Sequence, residues 1–391
     1  MDKERPVEKK YFDVLSKGYF RAAKIFFIAM AVCFVVTLFF NSSLLTYNNF
    51  SYFARDLNSA ADLASGSYSS ISYKNDEMRR TKNFRGGVIT VSSTDLTIYT
   101  ATGGRTLALN ESFVSPEIVT SQKYAVVYDL GGNKYSVYNS FARLSSGSYT
   151  HPISGASASD SGWFALVTKD DSHTSVVNLY DGDCDHRNTY SFSSRYVFST
   201  AINQKGSRIA ILLTEAAGDK FSTSVMICEP GKGDKRAEVR FSDGLPMGCC
   251  FTDNGDLLAV CTDGMFLLDE NDGTVKASHS FEDKEINRVS LTSEGAAIAV
   301  SENESVARNR ITVFDKNGEM VYSTVIEGGM IDMEYYDGYV FVNQSTAVTK
   351  INVKRGNSSS IKTADSGTDI IVYDSGNILL CYRTKAIYIS I

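Results

Sequence analysis

A small polar turn followed by a short aliphatic run recurs eight times along this chain of 391 residues. Six copies are clear: SGWFALV at 161–167, KGSRIAI at 205–211, NGDLLAV at 254–260, EGAAIAV at 294–300, DGYVFV at 337–342 and SGNILL at 375–380. Two earlier copies are more degenerate, RGGVITV at 85–91 and QKYAVV at 122–127. With positions 86, 123, 162, 206, 255, 295, 338 and 376 as phase markers, the steps are 37, 39, 44, 49, 40, 43 and 38 residues. A period near 40, made of short strands and polar turns, is the pattern of β-propeller blades. The expected fold is therefore all-β, a propeller of eight blades. Seven blades is the alternative, because the first two copies are weak.

One period accommodates four strands. Asn254-Gly255 turns into Leu257–Cys261, Asp263-Gly264 turns into Met265–Leu268, and Asp269–Gly273 leads to an alternating stretch over 274–281. Ile286–Leu291 then reads as the innermost strand of the following blade. Apolar runs bounded by Gly, Asp and Asn are the hairpin pattern. Five Pro against 44 Tyr and Phe suit twisted antiparallel sheet. The chain stops at Ala386–Ile391, the third strand of its last blade. A strand from the start of the domain would supply the fourth and remove two open edges. Ser69–Tyr73 is the candidate.

Ahead of the repeats, residues 25–40 read IFFIAMAVCFVVTLFF, without a charge. Extended to Thr46, the run has 22 residues, or roughly 33 Å as a helix, enough to cross a bilayer. Seven cations and four anions precede it, so a cytoplasmic tail of 1–24 carries +3. The positive-inside rule then places residues 25–46 as a transmembrane signal anchor, with the bulk of the chain extracytoplasmic. A cleaved signal peptide is the competing reading, but no small-residue cleavage site follows Phe40. Residues 47–72 are expected to hold a juxtamembrane helix and linker, since Phe50, Phe53, Leu57, Ala60 and Leu63 have helical spacing. Residues 73–391 are the propeller.

Whole-chain charge is −6, and the +3 tail leaves −9 for the remainder. An acidic domain with no basic stripe argues against a nucleic-acid partner. The seven Cys show no disulfide framework and no C-x-x-C.

No residue is assigned a catalytic, cofactor-binding or metal-binding role. Asp181–Asp185 carries carboxylates at alternate positions, but Phe192 stands where an EF-hand needs its bidentate ligand, so a polar turn is expected. The turn at Asp269–Gly273 is read in the same way. Cys249-Cys250 brings to mind the vicinal disulfide of quinoprotein dehydrogenases. Those enzymes repeat a tryptophan-docking motif, whereas this chain has a single Trp, Trp163. The two Cys are expected to straddle an inner strand over 247–251. His151, His173, His186 and His279 show no metal spacing, and neither HExxH nor GxSxG occurs.

The basic tail, the anchor at 25–46 and the polar-x-Gly-x-aliphatic repeats resemble uncharacterised single-pass, membrane-anchored propeller proteins of Gram-positive bacteria. The repeats themselves resemble the WD-like and quinoprotein-like propeller superfamily, though the GH and WD dipeptides are absent. That resemblance implies fold and carries over no functional residue. The function expected is a protein–protein interaction scaffold in the cell envelope, without enzymatic activity or cofactor. A ligand-sensing or glycan-binding propeller is the alternative, and an envelope enzyme comes after it. Longer periods around Glu215–Phe221 and Glu302–Arg308 mark loops expected to project from one face.

Overall fold

The structure is a computed structural model describing residues 19–33, 35, 68–73, 79–218, 220–281, 284–303, 307–365 and 367–391. The chain divides into two units, Met1–Asn58 and Ser59–Ile391. In the first, residues 19–33 form a helix whose apolar side chains, among them Ile25, Phe26 and Phe27, are exposed. Among the described residues no helix is long and apolar enough to cross a membrane. Residues 34 and 36–46, which complete the run read as an anchor, lie outside the described residues, as do the tail 1–18 and the helix expected over 50–64.

The second unit holds eight four-stranded antiparallel sheets, numbered here as blades 1–8 in chain order. Their inner strands are Arg80–Phe84, Pro116–Thr120, Gly155–Ala158, Tyr196–Ile202, Pro246–Phe251, Ile286–Thr292, Met330–Tyr336 and Asp369–Asp374. Eight blades, rather than seven, are therefore formed, and both degenerate copies build complete sheets. Seven of the eight phase markers fall in the turn between first and second strands, and the eighth, Gly295, opens the second strand itself. These turns define what we call the upper face. The lower face carries the turns between second and third strands and the connectors between blades.

Burial explains the sequence pattern. Second strands such as Gly87–Val91, Phe164–Thr168 and Leu257–Cys261 are buried at every position, because neighbouring blades cover both faces. They read as unbroken apolar runs for that reason. Outer strands such as Arg143–Ser148 and Val275–Ser280 largely alternate between more and less exposed positions. The core is thus a ring of interblade layers, one per seam. Leu258, Val260 and Met265 of blade 5, for instance, pack on Ala296, Ile298 and Val300 of blade 6. Each fully buried aliphatic side chain contributes about 1.5–3 kcal/mol.

Blade 8 is completed by the N-terminal strand Ile71–Ser72, pairing antiparallel with Lys385–Ser390 through Ile71↔Ala386 and Ser72↔Lys385. This is the closure expected of Ser69–Tyr73. It begins earlier than expected, however. The Tyr68 ring stacks between Tyr373 and Tyr388, with centroids 5.1 and 5.2 Å away, and its hydroxyl donates to Asp374 Oδ2 at 2.6 Å. Residues 68–72, read as linker, therefore belong to the propeller, because the latch needs a buried aromatic as well as a paired strand.

The two long hairpins also behave as expected. Ile209–Ala217 with Lys220–Cys228 in blade 4, and Gly295–Asn303 with Arg308–Asp315 in blade 6, run past the ends of their inner strands on the lower face. Glu215–Ala217 continue beyond the last inner-strand pair, Tyr196↔Thr214.

Candidate functional site

Polar contacts bridge five of the eight seams of the inner ring and help to fix the channel wall. Asn83 Nδ2 donates to Val372 O (2.9 Å) between blades 1 and 8, and Arg80 pairs with Glu117 (2.8 Å) between blades 1 and 2. Ser157 and Thr200 hydroxyls meet at 2.6 Å between blades 3 and 4. Tyr335 N donates to Ser290 Oγ (2.9 Å), and Ile370 N to Asp332 Oδ2 (2.9 Å).

Five successive inner strands carry a register shift; that of blade 8 lies near its upper end, between Val372 and Asp374, and the other four share a lower position. Register shifts interrupt the pairing between Val197 and Ser199, Pro246 and Gly248, Ile286 and Arg288, and Met330 and Asp332. Blades 1–3 pair their inner strands without a shift. The extra residues are Phe198, Met247, Asn287 and Ile331, all near the lower end of the channel. A β-bulge turns its side chain out of the regular alternation, and bulges concentrate at barrel rims for that purpose.

The consequence is an apolar lower mouth on blades 4 and 5. Tyr196 is 60% exposed, Phe198 50%, Met247 41% and Leu245 37%. Tyr196, Phe198 and Met247 stand on two adjacent inner strands and Leu245 on the connector before the second, so that four large apolar side chains are held in solvent at one end of two neighbouring blades. Hydrogen bonds hold them in place. Leu245 N donates to Thr262 Oγ1 (2.9 Å), Ser242 Oγ to Asp263 Oδ1 (2.6 Å), and Thr223 Oγ1 to Gly244 O (2.7 Å). Val197 N donates to Ser175 Oγ at 3.0 Å. A Cβ at Gly244 would lie 2.5 Å from Asp263 Oδ1 and 2.7 Å from Thr262 Oγ1, so those side chains would have to shift to admit one.

Outside the apolar mouth, a cleft of about 460 Å³ runs along the lower face, lined by Lys220, Asp243, Asp263, Lys284 and Glu285. The projecting hairpin of blade 4 flanks it on one side. On the other stands the hairpin of blade 6, where Glu302 pairs with Lys284 (3.4 Å) and Arg310 (2.6 Å).

Across the channel the wall changes character. Inner strands of blades 3–5 carry no charged residue. Blades 7 and 8 present Asp332, Glu334 and Asp369, with Lys82 of blade 1 nearby. Burial pushes the Glu334 carboxyl up to about 7; Lys82 draws it back, while Asp332 and Asp369 push it further up. Among the described residues no group of three or more His, Cys, Asp or Glu is arranged to hold a metal ion.

A second concavity, of about 560 Å³, lies between the outer strands of blades 1 and 2. Asn110, Glu111, Lys134, Tyr135, Arg143 and Ser146 line it. Glu111 accepts from Tyr138 Oη at 2.6 Å and from Arg143 at 3.3 Å.

The residues weighed from sequence are not brought together. Asp181 caps its own turn, accepting from Asp183 N (2.9 Å), Asp185 N (3.0 Å) and Arg187 Nε (2.6 Å). Asp269 caps the turn of blade 5 and pairs with Lys276 at 2.7 Å. Cys249 and Cys250 are free and face opposite seams, Cys249 toward Ser199 (3.9 Å) and Cys250 toward Thr292 O (3.3 Å). They straddle the strand as expected. The His residues are scattered; His173 pairs with Asp170 (2.9 Å), His151 with Asp171 (3.3 Å). Sequence reasoning nominated no binding residue and missed Phe198 and Met247. Their only signal was a large apolar residue at each of two strand starts.

The fold and its exposed apolar mouth define a closed eight-bladed propeller of the kind shared by WD-type and related repeat proteins. Residues 65–390 match a family of unknown function, DUF5711, and the chain belongs to it. No curated protein matches the chain. Among solved structures, Sqt1 of Saccharomyces cerevisiae superposes with a TM-score of 0.62 at 11% identity, over 83% of this chain and 99% of the other. BamB of Moraxella catarrhalis gives 0.57 at 14%, over 83% and 99%. Sqt1 of Chaetomium thermophilum, bound to the N-terminus of ribosomal protein L10, gives 0.57 at 10%, over 83% and 100%. At these identities the likeness is one of fold alone.

Proposed function

We propose that this protein is a protein-binding scaffold, docking its partner on the lower face of blades 4–6, and that it performs no catalysis of its own. The observation that carries the reading is the exposed apolar mouth formed by Tyr196, Phe198, Leu245 and Met247. Exposing these side chains forgoes their burial, which is retained most simply if a partner covers them. The two long hairpins flank that patch and extend the area offered. Sqt1, a propeller of the same fold, holds a polypeptide segment of another protein.

The scaffold is further proposed to sit outside the cytoplasmic membrane, held by residues 25–46. The uncharged run and the +3 tail support that placement. A membrane-impermeant thiol reagent applied to intact cells would then label a Cys introduced at Lys205. Labelling only after lysis would overturn it.

The docking reading is tested in living cells with the full-length protein carrying a photo-cross-linking amino acid at Met247. One recurrent, near-stoichiometric partner from Met247, absent when the probe sits at upper-face Lys205, is expected. A protein that stays monomeric and uncross-linked from both positions would sink the reading.

A glycan-binding role is the second reading. The cleft between blades 1 and 2 favours it, because hydroxyl, amide, carboxylate and guanidinium groups converge beside Tyr135.

A further inference from the structure

The lower mouth is chemically divided. Its blade 4–5 side is apolar and uncharged, whereas its blade 7–8 side carries three carboxylates on adjacent inner strands. We infer that the partner segment seated on this mouth is an extended or helical polypeptide stretch that is basic on one side and apolar on the other. Its apolar residues rest on Phe198 and Met247, and a Lys or Arg reaches Asp369 and Asp332. This inference rests on the docking reading above and names the chemistry of what docks.

Three features of the fold support it. First, depth matches. Counted from the upper-face markers, Phe198 and Met247 stand eight residues down their strands, Asp369 seven and Asp332 six. At about 3.3 Å per strand residue, these groups lie within roughly 7 Å of one another in height, well within the span of one Lys or Arg side chain. Glu334 lies deeper, level with Lys82.

Second, the fold does not neutralise these acids. Asp332 accepts from backbone amides only, Met333 N and Ile370 N, each at 2.9 Å. Among the described residues Lys82 is the one cation acting on Glu334, and it does not keep that carboxyl in its ordinary range. A cation is the group whose arrival would relieve the repulsion among the three.

Third, two further cations of the inner ring are already committed. Arg80 of blade 1, as deep as Asp332, pairs with Glu117 at 2.8 Å. Arg288 of blade 6 donates from Nε to Ile331 O at 2.8 Å and from a terminal nitrogen to Asn287 O at 2.7 Å. Both acceptors are the carbonyls of bulged residues. The bulges of blades 6 and 7 thus draw the guanidinium onto the rim and away from the carboxylates.

The test uses the purified full-length protein in detergent and a phage-displayed library of random dodecapeptides as probe. Selected sequences are expected to place Lys or Arg within a few positions of Phe, Leu or Trp. Asp332→Asn with Asp369→Asn should weaken a selected peptide about tenfold and remove the preference for cations. Phe198→Ser with Met247→Ser should abolish selection. If peptides are selected through Phe198 and Met247 but show no cation preference, or bind the Asn variant equally well, the inference falls and the docking reading stands. If the parent enriches no peptide, or if the Phe198 and Met247 variant selects as well as the parent, both fall. All four positions are at least partly exposed. Asn at 332 can accept from only one of Met333 N and Ile370 N, so each variant's thermal melt is compared with the parent's. A matching melt assigns a loss to binding, and where the double variant melts lower Asp369→Asn alone carries the comparison.

Discussion

At the residue scale, Glu334 is a carboxyl that burial holds well above its ordinary range. Its folded carboxyl titrates near 7 instead of 4.5, so the folded state holds its proton more tightly than the unfolded chain. The stability tied to that proton is complete below about 4.5 and is lost as pH rises through 7. Lys82, Asp332 and Asp369 are the charged groups acting on it. Glu334→Gln, which is neutral at every pH, should therefore melt about 2 °C above the parent at pH 8 and equal to it at pH 4. Equal melting temperatures at both pH values would show the carboxyl to be unperturbed. Gly244 makes a different claim. Alanine there would press on Asp263 and Thr262 and displace the connector that presents Leu245. Denaturant unfolding should register a loss of about 1–3 kcal/mol. An unchanged midpoint would mean that the loop yields freely.

Among the elements, the two-residue strand Ile71–Ser72 has an influence beyond its length. Ile71 is buried against Val88, Ile371 and Leu379, and Tyr68 anchors its leading end. Ring closure therefore depends on six residues before the first repeat. Ile71→Asp would bury an unpaired carboxylate at the seam of blades 8 and 1 and should cost roughly 3 kcal/mol or more. Ser72→Asp, one position along and solvent-facing, should change stability by less than about 0.5 kcal/mol. Equal effects at the two positions in thermal unfolding would show that the strand is not the latch. The need for this strand was legible in the sequence, because the last blade runs out of chain after three strands. Tyr68 was not legible, since a lone Tyr after a Ser/Gly stretch looks like linker until Tyr373 and Tyr388 are placed on either side of it. The long hairpins were visible as stretched periods for the same reason that blade number was: both are counted along the chain.

For the whole molecule, binding and stability should separate. Phe198→Ser with Met247→Ser removes exposed apolar surface, so the melting temperature should hold within about 2 °C while cross-linking to the partner disappears. Retained cross-linking would place the interface elsewhere on the disc. The sequence by itself determined the repeating architecture, favoured eight blades over seven, and indicated the closing strand and the presence of two long hairpins. Those properties follow from local periodicity: each four-stranded unit buries both faces of its second strand, and that demand is written as an apolar run every 40 residues or so. Only the tertiary structure decided where the surface is apolar and where it is acidic. Register shifts at Phe198 and Met247 turn apolar side chains outward that an unbroken alternation would have tucked into a seam. Asp332, Glu334 and Asp369 become neighbours because the ring sets blades 7 and 8 side by side around one axis. Both effects arise from pairing between strands, and no single strand's composition encodes them.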